Sequence, residues 1–258
     1  MNREARRFQF LLESTKLTSI DKDLYRELLN RNMAEDTITS SLQEMTELLE
    51  IHYGQKVIVL IDEYDVPLEK AHENGYYHEM VLLLRNLFGN VLKTNRSLAF
   101  AVLTGCLRIA KESIFTGLNN FKVYSITNME FDETFGFTDA EVREMLQYYE
   151  LIDKYEEVKE WYDGYRFGNT EVYCPWDVVN YCSDHVKYPN AAPENYWMNT
   201  SGNNVMNRFI DSVQQPDMLT KAELGWLVNG ETVVKKIDET VTYDDLYSTM
   251  DHLWSTLF

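Results

Sequence analysis

The chain has 258 residues, 45% of them hydrophobic, which suits a folded core and argues against disorder. Its 24 basic and 42 acidic residues give a net charge of −18, a balance that repels phosphate backbones and speaks against direct nucleic-acid binding. Cys106, Cys174 and Cys182 are odd in number and far apart, and the five histidines form no His-x-x-x-His pair, so neither a disulfide framework nor structural zinc is expected. No stretch approaches the ~20 apolar residues of a membrane span. No signal-type apolar run follows the N-terminus, and a cytoplasmic location is expected.

The first 53 residues read as helices. Phe8, Leu11 and Leu12 form one apolar face, and Leu24, Leu28 and Leu29 a second after a break at 19–21. Ile38, Leu42, Met45, Leu49 and His52 recur at spacings of three and four, and Gly54 suits the end of that helix. Residues 57–65 then read Val-Ile-Val-Leu-Ile-Asp-Glu-Tyr-Asp. A short aliphatic run without alternation fits a parallel strand buried on both faces. Asp65 and Pro67 suit the cap and first turn of a following helix. Next come a helix over 77–94 with Val81, Leu84, Leu87, Phe88 and Val91 inward, a strand over 97–103, a short helix over 109–115 and a third strand over 122–127. Such alternation predicts a parallel α/β sheet.

Helices dominate thereafter. Thr138-Asp-Ala-Glu141 is a capping box opening a helix through Tyr149. Further helices are expected over 152–162, 175–183, 204–213 and 242–257. Thr220-Lys-Ala-Glu223 repeats the capping-box pattern, and 232–237 reads as a short strand. These readings divide the chain into an α/β core at 1–135 and a mainly helical lid at 136–258. The last residues, His252-Leu-Trp-Ser-Thr-Leu-Phe258, stop in an apolar run without a cap, which reads as a truncated helix.

The chemistry concentrates at 62–65. Open α/β sheets bind ligands outside the carboxyl ends of their strands. There Asp62 can hold Mg²⁺ and Glu63 can polarise a water, the pattern of a Walker B strand. Buried strands also end in acids merely because the chain emerges into water. The companion phosphate loop, Gly-x-x-x-x-Gly-Lys-Ser/Thr, is not in this sequence. None of the 11 glycines precedes a lysine, and Gly54 is the only glycine before Val57. The expectation is either a truncated ATPase domain or an ATPase-like scaffold that does not hydrolyse. A nuclease acting through the acidic cluster is disfavoured, since no lysine stands at motif spacing from Asp62-Glu63.

Five phrases occur in order: Leu60-Ile-Asp-Glu-Tyr-Asp-Val-Pro-Leu68, the run from Leu103-Thr-Gly-Cys to Gly-Leu-Asn-Asn120, Trp161-Tyr-Asp-Gly-Tyr-Arg-Phe-Gly168, Val172-Tyr-Cys-Pro-Trp-Asp-Val-Val-Asn180 and Tyr196-Trp-Met-Asn-Thr-Ser-Gly202. Together they resemble the AAA-ATPase-like family, bacterial P-loop ATPase domains usually followed by a restriction-endonuclease-like nuclease domain. The resemblance runs from about Val57 to the C-terminus. It implies a partial P-loop NTPase-type parallel sheet flanked by helices and followed by a helical lid, with ATP and Mg²⁺ as cofactors of the complete protein. It also implies Asp62 as metal ligand, Glu63 as the residue orienting water, and a fused nuclease-like domain or another protein as partner.

Thr104 would sense the γ-phosphate, or else cap a Thr-Gly turn. Arg108 or Arg166 would sense phosphate, or else form a salt bridge. Pro175 would lie near the adenine, or else serve only as the first residue of a helix. Trp176 and Trp197 read as core aromatics. In ATPases of this type the P-loop strand is expected between the strands at 97–103 and 122–127. A gap or an N-terminal element is therefore expected there, with Asp62 and Thr104 side by side at one sheet end.

Overall fold

The computed structural model describes residues 1–105, 113–115, 118, 120–197, 218–238, 241–242 and 249–257. The chain divides into two units, residues 1–121 with 215–258, and residues 122–214.

In the first unit, α1 (Asn2–Ala5) runs into a 3₁₀ helix (Arg6–Glu13), followed by α2 (Ser19–Leu28) and α3 (Glu35–Tyr53). The chain breaks before residue 19, not at 19–21, because Thr18 caps α2. Its hydroxyl accepts from Asp21 N while the Asp21 carboxylate accepts from Thr18 N at 2.8 Å. Gly54 ends α3 with φ 70°, a left-handed conformation that glycine adopts without steric cost. Leu11, Tyr25, Leu28, Met45 and Leu48 close the core of these helices.

The chain continues as β1 (Val57–Ile61), α4 (Val66–Asn74), α5 (Tyr77–Lys93) and β2 (Leu98–Leu103). β1 and β2 pair in parallel, with Ile58 opposite Phe100 and Leu60 opposite Val102. Val59 packs with Val81, Leu84, Phe88 and Val91 of α5, giving this sheet its core. Burial on both faces does not hold. Ile58, Leu60 and Phe100 are 61%, 72% and 61% exposed, so the α5 layer covers one face and leaves the other bare.

Among the described residues this sheet has two strands only. The third strand expected at 122–127 does not form, and local hydrogen bonds explain why. Lys122 Nζ and Tyr124 Oη both reach Glu130, at 2.7 and 2.8 Å, and Ser125 N donates to Asn128 Oδ1 at 2.7 Å. Asn128 N in turn donates to Ser125 O at 3.0 Å and Gly168 N to Ile126 O at 2.7 Å. A turn at 125–128 thus takes backbone groups that a ladder would need, while the Glu130 bonds hold the neighbouring side chains. With no third strand, no gap between second and third strands exists.

The first unit also contains the helices Met218–Val228 and Met250–Leu257. Thr220 lies inside the former, so it is not an N-cap, and the expected strand at 232–237 is irregular. Residues 241–242 are non-helical, so the last helix starts later than expected. The helix expected at 204–213 and most of that at 109–115 lie outside the described residues; 113–115 form a 3₁₀ turn.

In the second unit β3 (Phe137–Thr138), α6 (Asp139–Tyr148), α7 (Tyr155–Tyr162), β4 (Tyr165–Phe167), β5 (Thr170–Tyr173) and α8 (Pro175–Lys187) follow one another. The strands form an antiparallel sheet in the order β3-β5-β4. The Thr138–Glu141 capping box forms as read, with Thr138 N donating to Glu141 at 2.8 Å. Val142, Leu146, Val158, Tyr162, Tyr173 and Tyr181 make the core.

Candidate functional site

The site begins with the backbone that ends β1 and β2. Thr104 N donates to Ile61 O at 2.9 Å, and Tyr64 N donates to Thr104 O at 3.0 Å, so backbone bonds tie the chain together one residue past β2 and three residues past β1. These bonds bring two side chains together. The Thr104 hydroxyl donates to Asp62 Oδ1, placing the two residues side by side at the carboxyl end of the parallel pair. A hydroxyl at this point thus fixes the carboxylate's direction, and Asp62 itself is exposed to solvent.

Glu63 follows with φ 52°, a left-handed conformation that disfavours a residue with a Cβ by roughly 1–2 kcal/mol. That turn lifts the chain off β1 and sends it into α4, for which Asp65 is the N-cap residue and Pro67 lies in the first turn. The Asp65 side chain makes no capping bond; it is 2% exposed and packs inward. Gly105 allows this close approach. A Cβ there would stand 2.7 Å from Tyr64 Cε1 and 2.8 Å from Asp65 Oδ1. The sequence showed Thr104-Gly105 as a turn, but the reason for the glycine is contact across the two strand ends.

The remaining candidate residues separate. Arg108 lies outside the described residues. Arg166 is in the second unit, exposed on β4 opposite Glu171 of β5, a cross-strand position that favours pairing of opposite charges. Pro175 opens α8 in the same unit, behind Cys174 as N-cap residue. Trp176 and Trp197 are not core aromatics: they are 48% and 47% exposed. Trp197 is anchored through its backbone, whose N–H donates to the buried Asp177 Oδ1 at 2.9 Å.

The second unit's clearest electrostatic feature escaped sequence reading. Asp139 accepts from the Tyr155 hydroxyl, from Tyr173 Oη at 2.9 Å and from Arg143 Nε at 2.8 Å. Burial opposes its ionisation, but these three donors outweigh burial and hold the carboxyl at about 2. Arg143 also lies 3.5 Å over the Tyr155 ring. Arg143 stands four residues after Asp139 on α6, a spacing open to sequence reading, but the two tyrosine donors come from α7 and β5 and were not visible there.

Asp62 and Glu63 can supply carboxylate oxygens to a hard cation. Among the described residues no group of three or more His, Cys, Asp or Glu gathers to hold a metal. The donor set fits Mg²⁺, which binds through one or two carboxylates and keeps waters and phosphate oxygens for its remaining positions.

Sheet, helices and the Asp62–Thr104 pair define the first unit as a mixed α/β structure with polar side chains at its strand carboxyl ends. Residues 4–115 match the model of the AAA-ATPase-like family, described as a predicted AAA-ATPase. This match begins in the N-terminal helices, ahead of the stretch on which the resemblance first rested, and the phrases beyond residue 120 fall outside it. An uncharacterized protein in the vnfD 5′ region of Azotobacter chroococcum mcd 1 is 33% identical over 129 residues, covering 49% of this chain and 24% of that protein. The matched stretch thus spans about a quarter of this bacterial relative's length. No solved structure matches the chain. Among the described residues, no helix is long and apolar enough to cross a membrane.

Proposed function

We propose that this chain carries the Walker B and sensor part of a nucleotide-dependent switch, with the second unit as its lid. The observation that carries the reading is the Thr104–Asp62 hydrogen bond at the carboxyl ends of two parallel strands, within the stretch that matches the predicted AAA-ATPase family. Asp62 is the carboxylate for Mg²⁺, oriented by Thr104. Glu63, projected from a left-handed backbone position next to it, orients the attacking water. Mg²⁺-ATP, when bound, supplies the phosphoryl group and the neutralising charge. Arg166 and Pro175 are the lid residues proposed to face phosphate and adenine.

The phosphate loop is not in this sequence, and with it the main contacts for ground state and transition state. The expected outcome is no ATP turnover by this chain that depends on Glu63. Joined to a segment bearing Gly-x-x-x-x-Gly-Lys-Ser/Thr, the chain should turn over ATP with Mg²⁺, and Glu63→Gln should stop turnover while nucleotide still binds. Turnover by the joined protein that is indifferent to Glu63→Gln would overturn the reading. Equal weakening of ATP and ADP by Arg166→Ala would remove Arg166 from it. The second reading, a non-hydrolysing scaffold that binds a protein partner, is favoured if the joined protein binds no nucleotide.

A further inference from the structure

α5 carries a second, independent feature. A cleft of about 290 Å³ lies along its C-terminal half, lined by Arg85, Asn86, Gly89, Lys93, Thr94 and Leu118 among others. This half of the helix returns the chain to the start of β2, away from the strand ends that hold Asp62 and Thr104.

Three observations bear on the cleft. Arg85 Nε is sealed from water and has no hydrogen-bond partner, although an uncompensated buried donor on a charged group is costly. Neither Arg85 nor Lys93 forms an ion pair or hydrogen bond among the described residues, in a chain of 42 acidic against 24 basic residues. Arg7, Arg26, Lys122, Arg143, Lys154 and Lys235 take carboxylates, whereas exposed cations such as Lys56 and Lys70 share the unpaired state of Lys93 among the described residues. What sets this cleft apart is the sealed Arg85 and the spacing of two cations about a glycine. Gly89 sits in the helix interior between the two cations, at i+4 from one and i−4 from the other, where glycine lowers helix stability. A Cβ at Gly89 would meet nothing within 4 Å, so packing against the protein does not require the glycine.

We propose that this cleft is a binding site for a phosphoryl oxyanion. Arg85 and Lys93 supply the charge, Asn86 and Thr94 supply neutral donors, and Gly89 leaves the floor open for the oxygens. Several donors of mixed kind suit a group with three or more acceptor oxygens, and an arginine fork matches two of them at once. The phosphoryl group is either inorganic phosphate or the phosphate end of a nucleotide.

The test is a titration of the full chain with inorganic phosphate at constant ionic strength, followed through the backbone amides of residues 85–94. Saturable shifts are expected in the wild type. Arg85→Gln and Lys93→Gln should each raise the dissociation constant about tenfold, the effect of losing one charge-assisted contact. Lys56→Gln, which removes an exposed cation elsewhere, should leave it unchanged. Gly89→Ala separates binding from folding, since it should raise the melting temperature by favouring the helix yet weaken phosphate. A parallel ADP titration names the source: tighter saturation of the same amides assigns the phosphoryl group to a nucleotide, and saturation by phosphate alone assigns it to the free ion. Shifts that never saturate, or that survive both charge-removing substitutions, overturn the proposal.

Discussion

At Thr104 the backbone and the hydroxyl perform separate tasks, and substitution can part them. Thr104→Ser keeps the donor to Asp62, whereas Thr104→Val removes it and keeps the backbone bonds to Ile61 and Tyr64. Because Asp62 is exposed, Thr104→Val should lower stability by only about 0.5–1 kcal/mol in denaturant titration. Gly105→Ala should cost more, about 1–3 kcal/mol, since its methyl group would overlap Tyr64 and Asp65 at 2.7 and 2.8 Å. Glu63→Gly runs the other way. It relieves a φ of 52° and should leave the melting temperature equal or higher while deleting the carboxylate. A fall comparable to that of Gly105→Ala would show that the Glu63 side chain holds the turn.

Among the elements, the β4–β5 hairpin depends on one glycine. Gly168 has φ 53°, at the first position of a two-residue loop, where a type II′ turn calls for glycine. Its missing Cβ would stand 2.5 Å from Asn128 O and 2.9 Å from Met129 Cα, both backbone atoms that do not rotate away. Gly168→Ala should therefore destabilise the second unit by at least about 2 kcal/mol, read as lost amide protection across β4 and β5. Asp139 sets a different dependence. Its carboxyl is lowered in the folded state from 3.8 to about 2, so its contribution is complete above pH 3.8 and disappears as pH falls through about 2. Asp139→Asn should lower stability above that window and match the wild type below it, as followed by acid unfolding. Elements whose pattern is carried by their own residues were legible in sequence. α5 showed its apolar stripe, Gly54 its helix end and Thr138–Glu141 its capping box. Thr220-Lys-Ala-Glu223 has the same Thr-x-x-Glu pattern but starts inside a helix, and a capping box needs a non-helical first residue that letters do not reveal. Residues 122–127 have strand composition, but Glu130 and Asn128 bind their side chains and backbone from a short distance along the chain. The Asp62–Thr104 pairing was legible since two strand ends fix it. The Asp139 cluster and the Gly89 cleft were not, because their meaning lies in which elements meet and which leave space.

For the whole molecule, the net charge of −18 and the uncovered sheet face act against each other. Ile58, Leu60, Phe100 and Val102 make a contiguous apolar surface on two strands that have no further neighbour among the described residues. Such surface favours contact with other copies, and free strand edges add hydrogen-bonding groups to the contact. Charge repulsion between copies acts over a Debye length, about 10 Å at 0.1 M salt and about 3 Å at 1 M. Sedimentation velocity should therefore show association that grows with added salt, contrary to the behaviour of a complex held by ion pairs. Phe100→Glu should suppress it at every salt concentration. An unchanged sedimentation coefficient from low to high salt would show that the face stays apart from other copies without help from charge. The bare face thereby makes the protein's handling a matter of ionic medium: dilute buffer disperses it, while salting-out conditions used in purification or crystallisation would drive copies together through Ile58, Leu60 and Phe100 before any native partner is present.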